Sequence, residues 1–336
     1  MTNPTPVRLI FVGLKGINQW HYLPATRISD AVTLVAGVDP APAARDQFHE
    51  KSGVPVYESL KDACSKHGAE GVVIGTPNPV HIVNIRAAAK AGLHMSVTKP
   101  LCNTVAECRE AIQLAEENNL VLQTSHEYRF RPSMERAFQL VAKGALGDVS
   151  LVTAHMGHKG GLGKLTAQGS WRSDPANVPG GCLNLLGVHM FDLCNRLLGR
   201  PVAVSATLKK LLAQAPLEDT VVAVAEYAAG PLAVITSSYV SAPSDFVHVF
   251  GTEKNLLVTD SAVFTEEARN WREMADLPRA GSAQVVLEQF AAAIRGGRTP
   301  ETSGETGMIA VAMNHAAVIS QQEGGRQVRL SEVLGE

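Results

Sequence analysis

The chain has 336 residues, a formal net charge of −2 at pH 7, 45 % apolar residues and 18 % charged residues. That balance argues against nucleic acid or an anionic membrane as a partner held by bulk charge, and no apolar run reaches the ~20 residues that span a bilayer. Such a length exceeds what one small core holds, so two domains are expected. Met1 to Pro6 lack the charged start and long apolar run of a signal peptide. The cysteines (Cys64, Cys102, Cys108, Cys182 and Cys194) are odd in number, scattered and free of any Cys-x-x-Cys pair. Reduced thiols in the cytoplasm are therefore the expectation.

The first third alternates strand and helix. Val7 to Gly13 and Val32 to Asp39 read as strands, as do Gly71 to Gly75, Leu93 to Val97 and Leu120 to Thr124. Val80, Val83, Ala87, Ala88 and Ala91 fall three or four apart, and so do Val105, Cys108, Ile112 and Ala115, which predicts two helices. Pro79 precedes the first, Gly92 ends it, and Thr104 can cap the second. Alternating β and α predicts a parallel sheet wrapped by helices. From about Leu151 the pattern changes. Val202, Val204, Ala206 and Leu208 alternate with small or polar residues, and Val221 to Tyr227, Leu232 to Tyr239 and Phe246 to Phe250 do so less strictly. These predict a largely antiparallel sheet with one wetter face. Val285 to Ile294 and Ile309 to Ser320 read as late helices. The expected division is 1–124 and 125–336.

Chemistry concentrates at the ends of the early strands. Lys99 follows the run Leu93 to Val97 and stands against Pro100, where ligands of a parallel sheet bind. A shielded lysine there can lose its proton near neutral pH and do acid–base work in an interdomain cleft. The first strand leads into Gly13-Leu14-Lys15-Gly16-Ile17-Asn18. A dinucleotide fingerprint needs glycine at 13, 15 and 18, and only Gly13 fits. Gly16 supplies a neighbouring glycine, Asn18 tolerates a left-handed turn, and Lys15 can add charge toward phosphates. Cofactor binding and a plain turn both remain open from this stretch alone. Asp39 ends the second strand, where a carboxylate holds ribose hydroxyls; it also suits a helix cap before Pro40. Without an arginine close by to pair with a 2′-phosphate, Asp39 favours NAD, with NADP possible.

Several further marks follow in order. They are Thr76-Pro77-Asn78 with His81, Ala91-Gly92-Leu93-His94, Lys99-Pro100-Leu101, Tyr128-Arg129-Phe130 and Gly144-Ala145-Leu146-Gly147. Trp171-Arg172, Asp174-Pro175, Gly180-Gly181, Gly187-Val188-His189-Met190-Phe191-Asp192 and Glu218-Asp219-Thr220 complete the series. In this order they resemble the Gfo/Idh/MocA family, the relatives of glucose–fructose oxidoreductase and inositol dehydrogenase, over essentially the whole chain.

The resemblance implies a Rossmann NAD(P)-binding domain, doubly wound on a parallel sheet, followed by an α/β domain with a large open, mainly antiparallel sheet. It implies hydride transfer between nicotinamide and a secondary alcohol or ketone of a sugar, cyclitol or related polyol. Lys99 matches the lysine that hydrogen-bonds the reacting oxygen, and His189 the general base; a cis peptide before Pro100 is also implied. Gly13, Lys15, Gly16, Ile17, Asn18, Asp39, Thr76, Pro77, Asn78, His81 and Lys99 are the expected cofactor contacts. Trp171 and Arg172 either join them or simply pack. Thr98 stands where the family has glutamate, so Lys99 loses a neighbouring carboxylate and an altered pH dependence is expected. Leu185 stands where the family has aspartate or asparagine four residues before the histidine, while the adjacent Asn184 is expected to point elsewhere. Another group then substitutes, the reaction is atypical, or activity is lost.

His155, His158 and Lys159, in a glycine-rich stretch expected to be a strand running into a loop over the cleft, are candidates to substitute or are merely solvated. Two histidines at this spacing without a third ligand are a poor metal signal, and no metal site is expected. His126 and Arg129 are expected near the substrate, although Arg129 also suits a structural ion pair, and His189 itself could be a buried polar residue paired with Asp192. Besides a dehydrogenase, an NAD-dependent glycosidase or lyase with transient sugar oxidation fits these residues, and so does a non-catalytic dinucleotide or sugar sensor. The resemblance also implies a homodimer or homotetramer packed through the open sheet, whose apolar face needs cover.

Overall fold

The computed structural model describes residues 5–167, 169–267, 270–274, 277 and 281–336. Of the stretch Met1 to Pro6, residues 1–4 lie outside the described residues. The chain forms two compact units. One holds the residues up to Cys102, Ala106–Glu127 and a late stretch ending at Met308; the other holds Asn103–Val105, the stretch from Tyr128 onward, and Ile309–Glu336.

The first unit runs β1 (Val7–Val12), α1 (Leu23–Thr26), β2 (Val32–Val38), α2 (Pro42–Ser52), β3 (Val56–Tyr57), α3 (Leu60–Lys66), β4 (Gly71–Ile74), α4 (His81–Lys90), β5 (His94–Thr98), α5 (Val105–Glu117) and β6 (Leu122–Ser125). Its six strands lie in the order β3-β2-β1-β4-β5-β6, every pairing parallel. Leu9, Ile10 and Phe11 of β1 and Val72 and Val73 of β4 are wholly buried. Strands covered on both faces require such unbroken apolar runs. The order reverses between β1 and β4, which makes that junction the switch point where doubly wound sheets open a crevice.

The second unit contributes α6 (Pro132–Ala142), β7 (Val149–Gly157), α7 (Leu162–Thr166) and α8 (Val188–Leu198). Then come β8 (Pro201–Lys209), β9 (Thr220–Tyr227), β10 (Leu232–Ser238), β11 (Ser244–Gly251), β12 (Asn255–Thr259), β13 (Val263–Glu267) and β14 (Asn270–Glu273). After α9 (Ser282–Gly296) and α10 (Gly304–Gln322), β15 (Val328–Arg329) and α11 (Leu330–Leu334) end the chain. The nine strands are ordered β14-β13-β12-β11-β7-β10-β9-β8-β15. Only the β7–β10 pair is parallel; the others run antiparallel. Val152, Ala154 and Met156 of β7 are buried, whereas Leu151, Thr153 and His155 alternate with them and are half-buried. One face is therefore the covered core, and α8 packs against β7 and β10.

The expected boundary at 124/125 moves to 127/128, and α9, expected in the second domain, belongs to the first unit. Packing gives the reason. Phe290 is fully buried, a Cβ added to Gly71 would sit 3.2 Å from its ring, and Gln123 donates its side-chain amide to the Val286 carbonyl. A helix goes where its apolar stripe finds cover, whatever its place in the sequence.

Candidate active site

In the first unit, the carboxyl ends of β1, β2, β4 and β5 carry Gly13, Asp39, Thr76 and Lys99 in turn. Gly13 has φ +83°, and a Cβ there would lie 2.8 Å from Thr76 Cγ2 and 2.9 Å from its backbone nitrogen. Only glycine lets these strand ends approach so closely. Gly16, also left-handed at φ +63°, has open space around it. Lys15 and Gly16 are exposed and Ile17 half-buried.

Asn18 is not left-handed. It opens a π-helical turn, Asn18–Tyr22, and is fully buried. Its amide donates to the carbonyls of Val12 (3.1 Å), Gly13 (2.8 Å) and Val73 (3.3 Å), tying β1 to β4 beneath the turn. Asn18 thus shapes the site from below, the left-handed positions being taken by glycine.

Asp39 accepts the Leu14 and Ala41 N–H groups, each at 2.9 Å, so its carboxylate is preset against the glycine turn. The cap of α2 is Ala41. An arginine does stand close: Arg45 donates from Nη1 to the backbone carbonyls of Asp39 (2.8 Å) and Pro40 (2.9 Å). Arg45 is six positions on, inside α2, so it does not show among the sequence neighbours of Asp39.

Thr76 and Pro77 enter a short turn in which Asn78 is buried. His81 is fully buried, with Nε2 3.0 Å from the Thr76 carbonyl and Nδ1 3.0 and 3.2 Å from the carbonyls of Pro100 and Leu101. The Thr98 hydroxyl lies 3.5 Å from Nε2. His81 therefore joins the loops after β4 and β5, and burial pushes its pKa down. Lys99 directly follows β5 and is half-buried, and its peptide bond to Pro100 is cis. His126, at the end of β6, is buried.

In the second unit, α8 carries His189 in its first turn, buried. The Tyr128 ring stacks on the His189 imidazole, with centroids 4.2 Å apart and planes tilted by 36°. Asp192, one turn on, accepts the fork of Arg129 at 2.7 Å through both oxygens, and both residues are buried. Arg129 thus has its charge matched inside the fold and anchors α8, as the ion-pair alternative expects. Breaking such a buried pair costs about 3–5 kcal/mol. Leu185 lies buried in a second π-helical turn, Leu183–Gly187, that runs straight into α8.

His155 does not join His189. It alternates onto the face of β7 away from α8, bonded to Thr236 (2.7 Å) and stacked on Phe246. The strand runs on to Gly157, and a short turn follows at Lys159–Gly161. His158 accepts the Gly160 N–H at 3.1 Å and packs edge-on against Tyr239, while Lys159 is exposed. The Arg172 guanidinium lies 4.3 Å from the Trp171 ring centre, a stacked pair on one turn. Among the described residues no cluster of three metal-ligating side chains occurs, and no helix is long and apolar enough to cross a membrane.

Comparison with known proteins bears on the family and the fold. Residues 7–126 match the oxidoreductase family with an NAD-binding Rossmann fold, and residues 134–257 match the GFO/IDH/MocA C-terminal domain. The chain is 27 % identical over 334 residues to D-xylose 1-dehydrogenase (NADP(+)) 2 of Haloferax volcanii, covering 95 % of this chain and 98 % of that one. It is 25 % identical over 352 residues to myo-inositol 2-dehydrogenase of Thermotoga maritima, covering 98 % and 100 %. The fold is shared with a putative NADPH-dependent oxidoreductase of Desulfitobacterium hafniense, at TM-score 0.90, 24 % identity and coverage of 98 % and 99 %.

Titration of buried and half-buried histidines has a measurable consequence. Burial lowers the pKa of His81, His94, His155 and His248 from the ordinary 6.5. The unfolded chain then binds more protons than the folded one as pH falls below that value, so stability is kept above it and lost below. The thermal midpoint should fall between about pH 7.5 and about pH 5.5, and replacing His81 by glutamine should flatten part of that fall. A midpoint constant across the range would contradict it. By its glycine turn, its strand-end carboxylate and the match of both units, the chain belongs to the GFO/IDH/MocA family of NAD(P)-binding oxidoreductases.

Proposed function

We propose that this protein is a dehydrogenase that transfers hydride between NAD(P) and a secondary alcohol or ketone of a sugar, cyclitol or related polyol. The observation that carries the reading is Lys99, which directly follows β5 on the same sheet edge as the glycine turn, Asp39 and Thr76. The names of the xylose and inositol dehydrogenases among its relatives support the substrate class.

The residues fit the cofactor. Gly16 leaves the backbone of the turn after Gly13 bare for a pyrophosphate, with Lys15 as a nearby cation, and Asp39 faces the ribose end. When bound, the nicotinamide supplies the hydride chemistry. In the oxidative direction His189 takes the hydroxyl proton, while Lys99 donates a hydrogen bond to the oxygen as negative charge develops there. Leu185 offers no side-chain acceptor, so the site is atypical and His189 works without the usual residue four positions before it.

The test is to titrate the protein with NAD and NADP, then follow the reduced cofactor with myo-inositol, D-xylose and related polyols and acids. Lys99→Met should lower kcat by about a hundredfold or more. Unchanged turnover removes the assignment. Binding without any reduction favours the sensor, and a glycosidic product without net reduced cofactor favours the glycosidase.

The same titration reads the adenosine end. Arg45 stands half-buried beside Asp39 and bonds its carbonyl and that of Pro40 through Nη1 alone, which supports acceptance of a 2′-phosphate along with NAD. Arg45→Gln should weaken NADP by about tenfold or more and leave NAD nearly unchanged, as expected when a charge-assisted contact is lost. Equal effects on both cofactors would make Arg45 structural.

A homodimer or homotetramer through the open sheet is part of the same proposal. Val222, Leu232 and Trp271 stand 46, 42 and 42 % exposed on its uncovered face, and such apolar area calls for a partner. Light scattering should give a multiple of the chain mass that Val222→Glu with Leu232→Glu reduces to one; a monomeric wild type would end this part.

A further inference from the structure

Tyr128 has two close neighbours on its ring. The His189 imidazole lies 4.2 Å away, centre to centre, and the Arg131 guanidinium carbon lies 3.4 Å from the same ring centre. Two flat groups at those distances on one face would overlap each other, so they occupy opposite faces. Tyr128 is the middle of a three-layer stack.

The outer layer is itself held. Arg131 pairs with Asp260 at 2.8 Å and faces Asp245 at 3.7 Å, both on the β11–β12 side of the sheet. On the other side, the backbone beneath His189 is fixed by the Arg129–Asp192 pair one turn along α8. Backbone anchoring leaves one freedom. The last torsion of a histidine is broad, so the helix alone does not set the plane of the ring. That plane decides where the ring nitrogens point, and a base is useful only within hydrogen-bond reach of its proton. An aromatic face also tolerates both forms of the imidazole, since a cation is attracted to it.

We infer that Tyr128 and Arg131 are positioning residues for His189: Tyr128 sets the imidazole plane, and Arg131, which acts through Tyr128, holds the phenol ring in place. This rests on the assignment of His189 as the base. It goes beyond the lysine and histidine by adding an aromatic layer and a cation that need never touch substrate.

The test uses the full-length protein with isotopically labelled histidine, the His189 Cε1–H signal being identified by its loss in His189→Asn. A ring stacked on a phenol is shifted upfield by it. Tyr128→Phe should keep the shift and Tyr128→Leu should abolish it. Arg131→Met should reduce it. With any substrate from the polyol panel, Tyr128→Leu should lower kcat by about tenfold or more with KM within about twofold, and Tyr128→Phe should recover it. A His189 signal unmoved in Tyr128→Leu overturns the stack, and one unmoved in Arg131→Met overturns the part given to Arg131. If Tyr128→Leu fails to fold, Arg131→Met and Arg131→Lys carry the test, with rescue by lysine expected. The signal reports the stack whether or not the protein turns over, so its failure is read separately from failure of the dehydrogenase assignment.

Discussion

The cofactor edge depends on how closely the ends of β1 and β4 can approach. At Gly13 the backbone comes so near Thr76 that no side chain fits, and Asn18 ties the same two strands from beneath with three hydrogen bonds. The crossover of strand order opens the crevice at that junction. Asp39 reaches it from β2 by accepting the Leu14 N–H, and His81 reaches it from α4 by holding the loops after β4 and β5. Each of these hydrogen bonds ends on main-chain atoms, so the fold itself sets the shape of the edge.

The second unit solves a different problem. One face of a nine-stranded sheet is covered, and α8 must present His189 from that side. A buried Arg129–Asp192 pair does the anchoring, at the cost of desolvating both charges. The gain is directional: a bidentate guanidinium–carboxylate contact fixes orientation as well as distance.

The strands of the first sheet were legible because buried parallel strands must be unbroken runs of apolar residues, as Leu9 to Val12 and Gly71 to Ile74 are. Lys99 was legible for the same reason, since the end of a run marks the end of a strand. The face of β7 on which His155 lies was not. Alternation divides a strand into two faces but does not say which one another element covers. Asn18 was read as a turn former, when its amide sits under the turn and serves backbone carbonyls brought together only by the fold. Arg45 and the Tyr128–His189 stack depend on separations in space that neither period nor spacing encodes. Residues matched to a known family carried His189, which its own sequence surroundings did not single out.

The return of α9 to the first unit bears on how the protein is made. A ribosome delivers β1 through β6 long before Val286, Leu287 and Phe290 exist, so the nascent cofactor unit waits with the surface around Gly71 and Gln123 uncovered. Domains generally fold in the order in which they are synthesised. Here the first unit to begin is completed only after nearly all of the second has been translated. Its assembly is closed by a segment that arrives late, and the two units share one timetable of birth even though each has its own sheet.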